Sequence, residues 1–336
     1  MDQSARTATI TSAIEEFVDV VRAARSQNTA LAYGKALKEF RSVLVKAGID
    51  PETSPTAALT EDLVSQFAMH LKRFSPATEQ LYIRALARFF KYLAAERLAE
   101  INLPRMDLLI EHRIRKPGIR LQQAPTSDIE RVLDFVLHPA FLSTNSDAER
   151  LRAMRDRALL LILADTGLRI HEACNLRRGE VDWHEGRAVI IGKGDKQAVI
   201  RFTSRSMRAL KDYLAHRAEL DGASGKQLSA LPLFARHDKG TGRKIKPITP
   251  TTGRNIVAER VKQALGNEAE GHITPHSFRH YFVSTILRAS GNLKLAQKMA
   301  RHENIQITER YAHVSDDELD KAFYEIFEKG TNPTER

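Results

Sequence analysis

The chain has 336 residues, 42% of them hydrophobic and 28% charged, which suggests two domains and excludes disordered, collagen-like and disulfide mini-protein classes. No run of about 18 apolar residues is present to span a bilayer, and a single cysteine, Cys174, allows no internal disulfide. Lys and Arg number 52 against 42 Asp and Glu, a net charge of +10.

Residues Met1 to Thr11 are polar and carry no signal-peptide core. A helix starts at Asn28 and Thr29, with Tyr33, Leu37, Phe40 and Leu44 at helical spacing. Another begins near Thr60 and carries Leu63, Phe67 and Leu71. Ser75 offers an N-cap with Pro76 at the first helical position. The helix after it places Tyr82, Leu86, Phe89 and Leu93 on one stripe and Arg84, Arg88 and Lys91 on the opposite face. The first stripe suits a core. The second suits phosphates, although alone it reads as an ordinary solvated face. Residues 101–126 read as a linker, because Pro104, Pro117, Gly118 and Pro125 discourage continuous helix. Its Arg113, Arg115 and Lys116 would suit a phosphate backbone or plain hydration.

The second half opens with a capping box, Ser127 to Glu130, ahead of Val132 and Phe135. Residues 156–164 form an apolar helix ended by Gly167. Ala188–Ile191 and Ala198–Phe202 are β-prone runs around Gly192-Lys193-Gly194-Asp195-Lys196, a hairpin signal. Helices come next at about 204–220, 250–265, 275–289, 293–300 and 305–312. A last amphipathic helix carries Leu319, Phe323 and Ile326. The segment from Arg236 to Lys244, which includes Arg243, reads as a flexible basic loop, either an ordinary surface loop or a contact to a polyanion or a neighbouring subunit.

The basic excess is spread: 18 Lys and Arg against 14 Asp and Glu in residues 1–120, and 34 against 28 in the rest. A polyanion touching both halves would account for that. Six positions then make a coherent set: Arg169, Lys193, His276, Arg279, His302 and Tyr311. Each alone has an ordinary structural reading. Together, two arginines and two histidines can surround a phosphodiester whose charge grows in the transition state. A tyrosine hydroxyl can become linked to phosphorus, and a lysine can protonate a leaving alkoxide. No His-Glu-x-x-His motif, cysteine cluster or Walker-type loop calls for a metal or nucleotide, so no cofactor is expected.

This order, with the strings Asp165-Thr166-Gly167-Leu168-Arg169-Ile170-His171-Glu172, Thr274-Pro275-His276-Ser277-Phe278-Arg279-His280 and Thr308-Glu309-Arg310-Tyr311, resembles the tyrosine recombinase (phage integrase) family. The first half, through Asn28-Thr29 and Ser75-Pro76, resembles the family's helical core-binding domain. The resemblance implies a mainly α fold with a small β-sheet. It implies a core-binding domain over 10–100 and a mixed α+β catalytic domain over 127–330, forming a C-shaped clamp around DNA. It further implies that Arg169, Arg279 and His302 hold the scissile phosphate and that Lys193 is the general acid for the 5′-oxygen. His276 would assist proton transfer and Tyr311 would form a 3′-phosphotyrosine. Glu172 matches an acidic position that buttresses the site. Tyr281 and Tyr324 are rival nucleophiles, and Tyr311 is preferred for its spacing from His302.

No arm-type domain precedes the core-binding part, which implies a simple recombinase of the Xer or Cre kind or from a transposable element. The implied partners are double-stranded DNA at a specific site and, in the synaptic complex, a homotetramer. Segment 317–328 would dock on a neighbouring subunit, and the protein would be cytoplasmic. A type IB topoisomerase-like activity and a non-catalytic DNA-binding relative are the alternatives.

Overall fold

The computed structural model describes residues 8–25, 27–115, 125–191, 197–237, 245–269 and 271–301. The described residues of Met1–Arg120 form one compact unit and those of Leu121–Arg336 another. Among them no helix is long and apolar enough to cross a membrane. The fold is mainly helical with one small sheet, as expected.

The first unit begins with a helix beyond those expected, α1 (Ile10–Ala24). Thr9 caps it by accepting from the Ser12 N–H at 3.2 Å, and Ile10, Ala13, Ile14, Phe17 and Val21 bury one face. Helix α2 (Gln27–Lys46) buries Leu37, Phe40 and Leu44, and α3 (Asp62–His70) buries Leu63 and Phe67. Leu71 lies in the tighter turn after α3. Helix α4 (Pro76–Ala95) starts at the expected cap, with Ser75 Oγ accepting from the Thr78 N–H at 3.3 Å. Aromatic edges close this core: Phe40 meets Phe67 and Phe90 at centroid distances of 5.4 and 5.9 Å.

The linker expectation over 101–126 needs correction, because Leu103–Arg113 form helix α5 of this unit. Asn102 caps it, accepting from the Arg105 N–H at 3.0 Å, and Pro104 sits in the first turn, where no intrahelical N–H is lost. Beyond α5, Arg115 is tied down. Its guanidinium pairs with the fully buried Glu79 and donates to the Phe74 carbonyl at 2.7 Å. Lys72 reaches the same carboxylate at 2.5 Å. Burial would raise the Glu79 pKa, but Lys72 and Arg115 outweigh it and hold the carboxyl below its ordinary range.

In the second unit, α6 (Thr126–Leu137) buries Ile129, Val132, Leu133 and Val136. The expected capping box at Ser127 is absent. The helix starts two residues earlier, at Thr126, Pro125 stands at its N-cap, and no side chain caps it. Helix α7 (Asp147–Thr166) is longer than its apolar stretch suggests, capped by Ser146 and buried without interruption from Ala158 to Ala164. A short helix, α8 (Ile170–Asn175), comes at once after it. The sheet runs β1 (Val181–Asp182), β2 (Arg187–Ile191), β3 (Gln197–Arg201), antiparallel throughout, with Ile191 opposite Gln197. Ala188, Ile190 and Ile200 face the core while Val189, Ile191 and Val199 face out. Helices α9 (Ser204–His216), α10 (Ala218–Gly222), α11 (Pro250–Leu265), α12 (Pro275–Ser290) and α13 (Leu293–Ala300) complete the described part. Helix α7 is the central element, packed by α9 and α12. The expected helix at 305–312 and the last amphipathic helix lie outside the described residues.

Candidate active site

The site is built on a sharp exit from α7. Gly167 ends that helix in the left-handed region, at φ +60°. A Cβ there would lie 2.4 Å from Phe282 Cδ1, so only glycine lets α12 approach this closely. Leu168 is fully buried, and Arg169 becomes the extended N-cap residue of α8. Across α8, Gly253 of α11 permits a second close approach, since a Cβ there would stand 2.7 Å from Ile170.

Glu172, one turn into α8, holds Arg169 twice. Its carboxylate accepts the Arg169 backbone N–H at 2.8 Å and the guanidinium at 3.0 Å. The Arg301 guanidinium, from the end of α13, reaches the same carboxylate at 3.0 Å. Glu172 is buried, which would raise its pKa. Arg301 and Arg169 more than offset this, and the carboxyl sits below the usual range. Arg169 keeps 41% of its side chain exposed, so part of its fork remains available to a ligand.

Arg279 is buried on α12. It donates to the Gly167 carbonyl at 2.5 Å and to the Ala300 carbonyl. Its guanidinium thereby joins the end of α7 to the end of α13. His276 stands one helical turn before it, in the first turn of α12, which is closed by the Thr274 N–H donating to Ser277 Oγ at 3.0 Å. The His276 imidazole is open to solvent on one side. Its pKa is lowered by partial burial, then by Arg279 and Arg169, so the neutral form dominates at neutral pH. The His280 ring meets it edge-to-face at 4.4 Å. Burial, His276 and Arg279 push the His280 pKa down to about 4.

Four of the expected residues therefore converge: Arg169, Glu172, His276 and Arg279. Lys193, His302 and Tyr311 lie outside the described residues, as do Lys116, Arg243, Lys244 and segment 317–328. Of the expected DNA contacts, Arg84 and Arg88 are exposed on α4, Lys91 pairs with Asp107 at 3.2 Å, and Arg113 is exposed at the end of α5. Arg115 is committed to Glu79. Tyr281, the rival nucleophile, packs on the core of this unit with its hydroxyl against Arg205. Arg205 also forks onto Asp165, just ahead of Gly167, at 3.0 and 3.2 Å through Nε.

Three partners lie outside the set expected from the sequence: Arg301, His280 and the Asp165–Arg205 pair. His280 has a visible signal, four residues after His276 on one helix face. The other two are contacts between residues far apart in the chain. Among the described residues no group of three or more His, Cys, Asp or Glu stands together to hold a metal ion.

Comparison with known proteins gives a consistent picture. Residues 138–318 match the Phage integrase family, and residues 14–97 match the Phage integrase, N-terminal SAM-like domain. Tyrosine recombinase XerC of Bacillus subtilis is 29% identical over 295 residues, 88% of each chain. Tyrosine recombinase XerC of Alcanivorax borkumensis is 29% identical over 291 residues, 86% of this chain and 84% of its own. Among solved structures, XerH site-specific recombinase bound to difH substrate shares the fold with a TM-score of 0.64 at 20% identity, over 94% of this chain and 84% of that one. The Tn1549 transposon integrase in complex with transposon right end DNA gives 0.63 at 19% identity, over 95% and 99%.

Proposed function

This chain belongs to the phage integrase family of tyrosine-type site-specific recombinases, and from that premise we propose that it cuts and rejoins DNA at a specific site through a 3′-phosphotyrosine, without metal ion or nucleotide. The observation that carries the proposal is the convergence of Arg169, Arg279 and His276. Both guanidinium groups act on one imidazole, and both are anchored by protein acceptors. Anchored donors cost no reorganisation when charge develops on a phosphate.

In this reading the Tyr311 oxygen attacks phosphorus in line and gives its proton to neutral His276. The bond from phosphorus to the 5′-oxygen breaks, and Lys193 protonates that oxygen. Arg169, Arg279 and His302 stabilise the non-bridging oxygens, with Glu172 orienting Arg169. A 5′-hydroxyl of the partner strand then attacks the phosphotyrosine, giving its proton to neutral Lys193, and Tyr311 leaves as it takes its proton back from His276. The phosphodiester energy is kept throughout, so no ATP is consumed.

Residues 10–100 would bind the core site and residues 127–330 would carry the chemistry. Double-stranded DNA as partner is supported by the solved neighbours, named as complexes with difH and with transposon end DNA. We assign a homotetrameric synaptic complex with segment 317–328 docking on a neighbour, and action in the cytoplasm.

The test uses a nicked suicide substrate. The wild-type protein should form a covalent adduct in excess chelator, while Tyr311→Phe binds the same DNA and forms none. Adducts from Tyr311→Phe, or cleavage that stops on chelation and returns with magnesium, would overturn the assignment. Dependence on two sites separates recombination from simple relaxation.

A further inference from the structure

Arg301 ends α13 in the left-handed region, at φ +58°. Side chains rarely adopt this conformation, and glycine is the residue that suits it. The chain nevertheless places its longest cation there. The guanidinium is mostly buried and reaches Glu172 at 3.0 Å, while its Nε is buried and meets no acceptor among the described residues. Among the described residues, the contact that accounts for an arginine in this unfavourable backbone conformation is the one to Glu172.

That contact belongs to a pair of clasps. Arg279 ties the Gly167 carbonyl to the Ala300 carbonyl. Glu172 ties Arg169 to Arg301. The turn at 167–172 and the chain at 300–301 are thus joined twice, by neighbouring groups. We propose that Arg301 is a positioning residue for strand cleavage: through Glu172 it fixes Arg169 relative to the end of α13, where the chain runs on into His302. This rests on the role for Arg169 given above. Among the described residues, Arg301 from α13 and Arg169 from its own turn act on Glu172; Arg279 and Arg169 act in turn on His276 of α12, and Arg254 of α11 acts on Cys174 of α8. Both groups that act on Glu172 are arginines. Arg301 is the foremost of the charges opposing the burial of Glu172.

The alternative is that Arg301 merely caps a helix. Glycine would serve that purpose at least as well, so Arg301→Gly separates the two roles. Full-length variants are compared by adduct formation on the suicide substrate, DNA affinity and thermal melting. Arg301→Gly should bind DNA as the wild type does and melt close to it, because relief of the backbone offsets part of the lost ion pair. Its cleavage should slow by on the order of 10²-fold, the effect of a misplacement of about 1 Å. In a Glu172→Gln background the same change should cost little more. The acid limb of its pH–rate profile should move to higher pH, because Glu172 without Arg301 takes a proton more readily.

Wild-type cleavage with an unmoved acid limb in Arg301→Gly would overturn the proposal. So would losses that add to those of Glu172→Gln. If the glycine variant fails to fold, Arg301→Lys and Arg301→Gln make the comparison. Lys should keep the wild-type acid limb and Gln should not, and equal profiles would overturn the proposal. A wild-type protein that forms no adduct refutes the reading of the site itself. A wild-type adduct with an unaffected Arg301→Gly refutes only the role of Arg301.

Discussion

Gly167→Ala and Gly291→Ala make a matched pair that measures how tightly α12 is held against the exit from α7. Both glycines end helices of the second unit, and both have φ +60°. An alanine at either position meets the same left-handed conformation, which costs about 1–2 kcal/mol. Their surroundings differ. Among the described residues nothing lies within 4 Å of a Cβ at Gly291, whereas at Gly167 it would meet Phe282 Cδ1 at 2.4 Å and two further ring atoms at 3.0 Å. Phe282 is itself nearly buried and packs with Val283, Ala296 and Ala300, so the ring cannot simply swing away. Relieving such an overlap costs about a further 1–3 kcal/mol. Urea unfolding of the two variants, read on the same unit, should therefore differ by about 1–3 kcal/mol, with Gly167→Ala the less stable. Phe282→Leu should recover part of that difference in the double mutant, since the two sites share one contact. Cleavage should also slow in Gly167→Ala, because the Gly167 carbonyl is an acceptor for Arg279. Equal losses at the two glycines would refute the steric argument. So would additive losses for Gly167→Ala and Phe282→Leu.

Acid should weaken the second unit through His280. Its folded pKa is about 4 against an ordinary 6.5, so the unfolded chain takes the proton first. Stability is lost as pH falls from about 6.5 to about 4, and His280→Gln should flatten that part of a plot of urea midpoint against pH; an unchanged plot contradicts it. Arg115→Ala should lower the stability of the first unit, because it leaves buried Glu79 with Lys72 as its remaining cation, and it should leave the salt dependence of DNA binding unchanged. Arg84→Ala or Arg88→Ala should do the reverse, lowering the salt slope by about one unit each at unchanged melting temperature. Lys193→Ala should cut cleavage by roughly 10²–10⁴, and a substrate with sulfur at the bridging 5′-position should rescue it but not Arg169→Ala. Persistent impairment on the sulfur substrate would remove Lys193 as the general acid and promote Lys196.

The parts of the fold legible in the sequence are those made by local rules. Ser75-Pro76 announces α4 because capping is settled within four residues. Gly167 announces the end of α7 because a left-handed C-cap favours glycine. Local rules also mislead. Pro104 looks like a breaker, but a proline in the first turn starts a helix as readily as it ends one, and α5 begins there. Ser127 looks like a cap, but Pro125 already restricts the backbone ahead of it and the helix begins at Thr126. Helix α1 has full amphipathic spacing from Ile10 to Val21, a local signal that the sequence reading, which begins its helices at Asn28, leaves unused.

The candidate site divides the same way. Arg169, His276 and Arg279 are legible because phosphoryl chemistry demands those residue types. The groups that anchor them are not, because their contacts span the chain: Arg279 reaches Gly167 across 112 positions, and Arg301 reaches Glu172 across 129. No periodicity or spacing encodes such a contact. Position 301 is the sharpest instance. Every local rule puts glycine at a left-handed helix end, and an arginine there looks like an error until Glu172 is found beneath it. Where a chain breaks a local rule and a distant partner explains the break, the gain lies in the geometry that partner imposes. In this protein that geometry is the one holding Arg169.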